Sequence, residues 1–223
     1  MLVAARPDSA LRLDPALTPA DRRLAYHLRY RAYRAADGIA PQASEEVRDW
    51  MDDYPLARTY LLRDGDVAVG TVRGNVYRHG APGHRLFLAD NFPADALAWL
   101  VDGDVVIESS RLAVAPDQSE HQLTHVMRLF GAHNANCRAH GAHYIVSAAQ
   151  RHHLPFYRRR LAFEIVSDPA TVEALTIEPV TAIRLDWRQH HGTLESRFPE
   201  VVVAAGDVAR LAVPTTVGTS GAA

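Results

Sequence analysis

The sequence predicts a single α/β domain in which a mixed central β-sheet is flanked by helices. Three observations predict it. Apolar residues make up 48% and charged residues 22% of a 223-residue chain, enough for one sizeable core. A hairpin pattern around Asp64-Gly65 is followed by strand, long helix, strand, helix and strand patterns in turn. No segment repeats, and the longest stretch without formal charge, 211–223, is too short and too rich in Thr, Gly and Ala to span a bilayer.

Thr18-Pro19-Ala20-Asp21 offers a capping hydroxyl, a proline for the first turn and an acid, so a helix should run from there to about Ala36 and stop at Asp37-Gly38. Leu24, Leu28, Ala32 and Ala35 form one stripe of it, and Tyr26, Arg29, Tyr30 and Tyr33 a neighbouring aromatic and basic stripe. A short helix is expected over Ser44–Trp50, strands over Arg58–Arg63 and Val67–Tyr77, and another short helix over Phe92–Leu100. Asp104–Val114 reads as a strong strand and Ser119–His140 as a long helix closed by Gly141, with Leu123, Val126, Met127, Phe130 and Cys137 near one face. His143–Ala148 should be a buried strand, Leu154–Leu161 a helix, and Phe163–Val166 and Thr181–Trp187 the last strands. The domain is expected over 19–205, between an N-terminal arm, 1–18, and a flexible C-terminal tail, 206–223.

All 24 basic side chains are arginine, which excludes a Schiff-base lysine and a phosphate-loop lysine. A net charge of −2 gives no excess for covering nucleic acid, so none is expected as a partner. The single cysteine, Cys137, builds neither an intrachain disulfide nor a thiolate zinc site. The first nineteen residues hold Arg6, Asp8, Arg12 and Asp14 and no apolar run of the signal-peptide kind, so the expected location is the cytoplasm. The histidine pairs 140/143, 152/153 and 190/191 are expected in solvent or core, with no metal.

The chemistry concentrates in Val105-Val106-Ile107-Glu108-Ser109-Ser110-Arg111-Leu112-Ala113-Val114. A carboxylate and a guanidinium inside an apolar strand need partners, as a structural ion pair or as catalytic groups. Strict alternation sends Glu108 and Arg111 to opposite faces, whereas a bulge near Ser109-Ser110 would bring them together.

Glu-Ser-Ser-Arg-Leu-Ala-Val followed by a helix resembles the central strand of the acyl-homoserine-lactone synthases and the N-acyl amino acid synthases, branches of the GNAT acyltransferase fold. Further features agree in order over roughly residues 20–187. Arg29, Tyr33 and Ile39 stand where the lactone synthases have arginine, phenylalanine and tryptophan. An acidic cluster follows, Asp49, Asp52 and Asp53 with Tyr54, and then Val69-Gly70-Thr71-Val72-Arg73, which is similar to the V-G-x-x-R of the family. Phe156-Tyr157-Arg158-Arg159-Arg160-Leu161-Ala162-Phe163 is similar to the F-Y-x-x-x-G-F element near the end of GNAT domains.

The resemblance implies a GNAT-like domain whose bulged central strand splays from the strand at His143–Ala148. It implies an N-acyltransferase joining a fatty acyl group to the amine of an amino acid or similar small molecule, with no bound cofactor. Glu108, Arg111 and Tyr157 become candidate catalytic residues: Glu108 as base, Arg111 with Arg73 orienting it or holding a carboxylate, Tyr157 protonating the departing thiolate. Arg29, Tyr33, Asp52, Asp53, Arg73 and Ser110 are candidates for binding substrate, and Leu112, Ala113, Val114 and Ser147 for binding the acyl donor. Ile39 and a shifted acidic pattern argue against S-adenosylmethionine, and with it against the alternative of a lactone synthase. The segment 114–120 lacks the Gly-rich loop that holds coenzyme A pyrophosphate, and Asp117 and Glu120 would repel it. The expected donor is therefore an acyl carrier protein, with acyl-CoA as the lesser alternative, and Arg158–Arg160 could face the acidic carrier. A non-catalytic acyl-carrier or lipid-binding module is the alternative from another class.

Overall fold

The computed structural model describes residues 11–172 and 178–215. Seven strands form one mixed sheet: β1 (Leu11–Pro15), β2 (Ala57–Asp64), β3 (Val67–Arg78), β4 (Val105–Val114), β5 (Tyr144–Gln150), β6 (Glu164–Ile165) and β7 (Val180–Asp186), in the order β1-β2-β3-β4-β5-β7-β6. Only β4 and β5 run parallel, joined by a right-sized crossover, helix α3 (Gln122–His140). The other helices are α1 (Pro19–Ala35), α2 (Phe87–Asn91), α4 (Leu154–Leu161), α5 (Trp187–Arg197) and α6 (Ala205–Leu211).

Alternation divides the core between the two faces of the sheet. Val105, Ile107, Ile145, Ile183 and Leu185 pack with Met127 and Phe130 of α3 and with Phe163. Val106, Val146 and Ala182 point the other way, into a cluster with Met51, Phe87, Leu88 and Phe92. His133 lies wholly inside the α3 layer, where burial pushes its pKa down to about 3 and keeps it neutral.

The expected elements are altered in several places. Residues 11–15 are an edge strand, with Leu11 opposite Asp64 and Pro15 opposite Tyr60, rather than part of an arm; their alternating apolar pattern and terminal proline suit an edge. The stretch 44–49 is not helical: Glu45 has φ +51, and the Asp49 side chain instead caps a 3₁₀ turn, Trp50–Asp53. Pro93 splits the helix expected over Phe92–Leu100, so α2 precedes it and a 3₁₀ turn, Ala94–Leu97, follows. Helix α5 was not foreseen; it is polar, and only Trp187 and Leu194 are buried. Part of the expected tail is also ordered as α6, whose Leu211 is buried, and only 216–223 of it lies outside the described residues.

Candidate active site

The central feature is a bulge in β4. Opposite β3 the register runs Asn75↔Glu108, Gly74↔Ser109 and Arg73↔Ser110, and resumes at Thr71↔Ala113, so β4 carries one extra residue. Arg111 takes it up with a left-handed φ of +56, one residue beyond the expected place. The expected consequence holds: Glu108, Ser110 and Arg111 all line one cleft. On its other edge β4 pairs with β5 only from Val106↔Tyr144 to Ser109↔Ser147. Beyond that point β5 continues against β7, and β4 runs on to Val114, leaving a split between them. Ser147 Oγ donates to the Ser109 carbonyl at 2.8 Å across its vertex.

A cleft of about 570 Å³ occupies this split. Leu112, Ala113, Val114 and Ser147 line it, together with Tyr33 of α1, Leu123 and Val126 of α3, Phe156 and Tyr157 of α4, and Phe87 and Leu88. The Tyr33 hydroxyl donates to the Leu112 carbonyl at 3.5 Å. Burial pushes the Tyr157 phenol above its ordinary pKa, so it stays protonated at neutral pH.

Three arginines and two aspartates form the wall on the α1 side. Arg73 grips Asp49 through two hydrogen bonds of 2.7 and 3.1 Å, lies 2.9 Å from Asp52, and donates from Nε to Ser110 Oγ at 3.1 Å. Arg111 donates to Asp49 at 2.6 and 3.1 Å. Arg29 of α1 reaches both Asp52 oxygens at 2.9 and 3.0 Å and Thr59 at 2.9 Å. Burial alone would raise the two aspartates, but the arginines hold both below the usual carboxylate range. This inward charge also turns α1: Tyr26, Leu28 and Arg29 are buried, while Leu24 of the expected apolar stripe is 38% exposed.

Glu108 sits apart from these ion pairs. Its carboxylate is fully buried and accepts from Phe87 N and Leu88 N, each at 2.9 Å, and from Asn75 Nδ2 at 3.2 Å. Burial raises its pKa despite these three donors. Arg111 and Arg73, expected to orient it, are both engaged by aspartates, and the Arg73 charge still lies close enough to favour the ionised Glu108 carboxylate. Arg29, Asp52 and Arg73, expected to bind substrate, are enclosed and brace the strand and the turn that carry Ser110 and Asp49. Asp53 is exposed and outside the network, whereas Asp49, at the centre of it, was seen in the sequence only as one acid of a cluster. Asn75 was missed, although Arg73-Gly74-Asn75 places both polar side chains on one face of β3 by period two.

After Val114 the chain makes a 3₁₀ turn, Pro116–His121, before α3; Asp117 and Glu120 are exposed there. Among the described residues, no group of three or more His, Cys, Asp or Glu could hold a metal, and no helix is long and apolar enough to cross a membrane.

The fold has known counterparts. The chain is similar to FeeM, an N-acyl amino acid synthase from uncultured soil microbes, at 17% identity and a TM-score of 0.65, over 84% of this chain and 94% of that one. It is similar to BjaI, a CoA-dependent acyl-homoserine lactone synthase solved with MTA, at 21% identity and a TM-score of 0.63, over 91% and 98% of the two chains. The acyl-homoserine lactone synthase LasI follows at 13% identity and a TM-score of 0.59, over 87% and 96%. A putative N-acetyltransferase from Lactobacillus plantarum has the same fold at 17% identity and a TM-score of 0.52, over 78% and 97%. No curated protein matches the chain by sequence. The family model of the N-acyl amino acid synthase FeeM matches residues 24–186, which include strands β2 to β7 and all five residues of the arginine–aspartate wall. The chain is thus a GNAT-like acyltransferase and belongs to the FeeM family of N-acyl amino acid synthases.

Proposed function

We propose that the protein moves a fatty acyl group from a thioester on a carrier protein to the amine of an amino acid or similar small molecule. The observation that carries this reading is the split beyond Ser109 and Ser147, which opens an apolar-walled cleft beside the buried Glu108 carboxylate. The pantetheine arm would lie along Leu112–Val114, whose outer edge β5 leaves unpaired. The amine nitrogen attacks the thioester carbonyl, the C–N bond forms and the C–S bond breaks. Glu108 takes the proton that the amine sheds, and Tyr157 gives one to the departing sulfur. Backbone N–H groups at the Arg111 bulge would stabilise the oxyanion.

Carrier delivery is supported by the surface beside the cleft. Arg151, Arg158 and Arg159 are exposed and border a groove of about 550 Å³ on α4, the helix whose Phe156 and Tyr157 line the cleft. An acidic carrier would be steered there, and steering of that kind weakens with salt. The test presents one acyl chain either on carrier protein or on coenzyme A to a panel of amino acids, at low and high ionic strength, with N-acyl products read by mass spectrometry. Carrier-dependent product that declines as salt rises is expected, and Glu108→Gln should lower it by roughly 10²–10⁴. Equal use of the coenzyme A thioester without a salt effect would overturn the carrier assignment, and absence of any N-acyl product would overturn the reaction.

A further inference from the structure

We propose that Asn75 is a positioning residue for acyl transfer: its side-chain amide ties the Glu108 carboxylate to the Arg85–Leu88 segment, selects the oxygen that receives the proton, and sets one wall of the acceptor site. The proposal rests on Glu108 as the proton acceptor. Asn75 is fully buried on β3 and lies directly opposite Glu108 in the ladder. Its Nδ2 donates to Glu108 Oε2 at 3.2 Å and to the Arg85 carbonyl at 2.8 Å. Both partners are acceptors, so the chemistry fixes which end of the amide is nitrogen.

The consequence is an asymmetric carboxylate. Oε2 accepts from both Asn75 and Phe87, whereas Oε1 accepts from Leu88 N and keeps lone-pair capacity. Oε1 is therefore the oxygen that takes the amine proton. The same two side chains hold residues 85, 87 and 88 at three points, and Phe87 and Leu88 line the cleft. Asn75 Oδ1 has no hydrogen-bond partner among the described residues, so this amide is a poor device for stability alone.

The other charges near Glu108 have partners of their own, though Arg73 still favours its ionised form. Arg73, from β3, is taken by Asp49 and Asp52, and Arg111, from β4, is paired with Asp49. Val146 stands opposite on β5. The Arg85 guanidinium pairs with Asp90 at 2.6 Å and covers the Trp50 ring at 3.9 Å.

The test compares wild type with Asn75→Leu, which removes the donor at similar volume, and with Asn75→Asp, which keeps the shape. The Glu108 carboxyl is titrated by ¹³C NMR, assigned by loss of its signal in Glu108→Gln, and the pH profile of kcat/KM is measured beside it. Losing one hydrogen bond to the charged form should raise the Glu108 midpoint by about one to two pH units. The acid limb of the profile moves up with it, because activity is lost as pH falls through that midpoint, and KM for the amine rises more than kcat falls. The Asp variant, with a second carboxyl beside the first, should shift further. An unmoved midpoint in a folded variant would overturn the proposal, and if the Leu variant does not fold, Asn75→Ala, which removes the donor without adding a charge, decides. A moved midpoint in the variants, with wild type acylating no amine, would support the hydrogen-bond assignment while overturning the proposed reaction.

Discussion

Asp49 receives two arginines and still spends Oδ1 on the Met51 amide at 2.9 Å. Replacing it by Asn keeps the volume but leaves Arg73 and Arg111 without their shared counter-charge in a buried place, a change that typically costs about 3–5 kcal/mol. Chemical denaturation of Asp49→Asn at pH 7 should show a loss of that size. Because the folded pKa of Asp49 lies below its ordinary value near 3.8, the wild-type advantage is full above about pH 4 and shrinks as pH falls through the folded pKa. A difference that stays constant down to pH 2 would show that charge is not its origin. At this scale the sequence was informative about residue types and poor about partners. Glu108 and Arg111 stood out as charges in an apolar strand, yet each found its partner on a segment distant in sequence, Phe87–Leu88 and Asp49 respectively. Alternation within one strand carries no record of such meetings.

Helix α4 ends at Ala162, whose φ of +59 and ψ of 27 place an alanine in the left-handed region, where the related motif has glycine nearby. Its N–H closes on the Tyr157 carbonyl, so the strained residue sits one helical turn from the cleft phenol. Ala162→Gly should relieve the Cβ conflict and stabilise the protein by about 0.5–1 kcal/mol, seen as a small rise in melting temperature. A fall would mean that the alanine methyl packs better than it strains. Elements with strong caps were legible: Thr18 and Asp21, read as a cap and a first-turn acid, form a reciprocal capping box, and Gly141, φ +60, ends α3. Those set by tertiary contact were not. The bulge was predictable from the clash of periods, but its place at Arg111 depends on the β3 register.

The chain after α5 is joined to β2 and to α3. Tyr60 donates to the Leu211 carbonyl at 2.6 Å, Val213 N donates to Asn136 Oδ1 at 2.8 Å, and Leu211 and Val213 are buried. Arg210 reaches Asp14 and the Leu13 carbonyl, which fastens the edge strand β1 at the same time. Ending the chain at Ala204 would remove two buried apolar side chains, uncover the core they pack on at a cost of about 1.5–3 kcal/mol each, and leave Asn136 short of a partner. A loss of about 5 kcal/mol, or roughly 10–20 °C in melting temperature, is expected for a domain of this size. An unchanged melt would return this segment to the status of a tail. The whole-molecule plan of one mixed sheet between helices was readable from element order. This closing strap was not, because its polar, small-residue sequence hides two buried anchors.

The hydrogen bond from Ser147 to the Ser109 carbonyl gives the molecule a fixed zero mark. The strands part from that point, which is the narrow end of the cleft. Under the proposed function an acyl chain would be measured from that constant origin, in the manner of a ruler clamped at one end. Longer chains would then find their extra length toward the exposed Leu123 and the half-buried Phe156 rather than past the hinge.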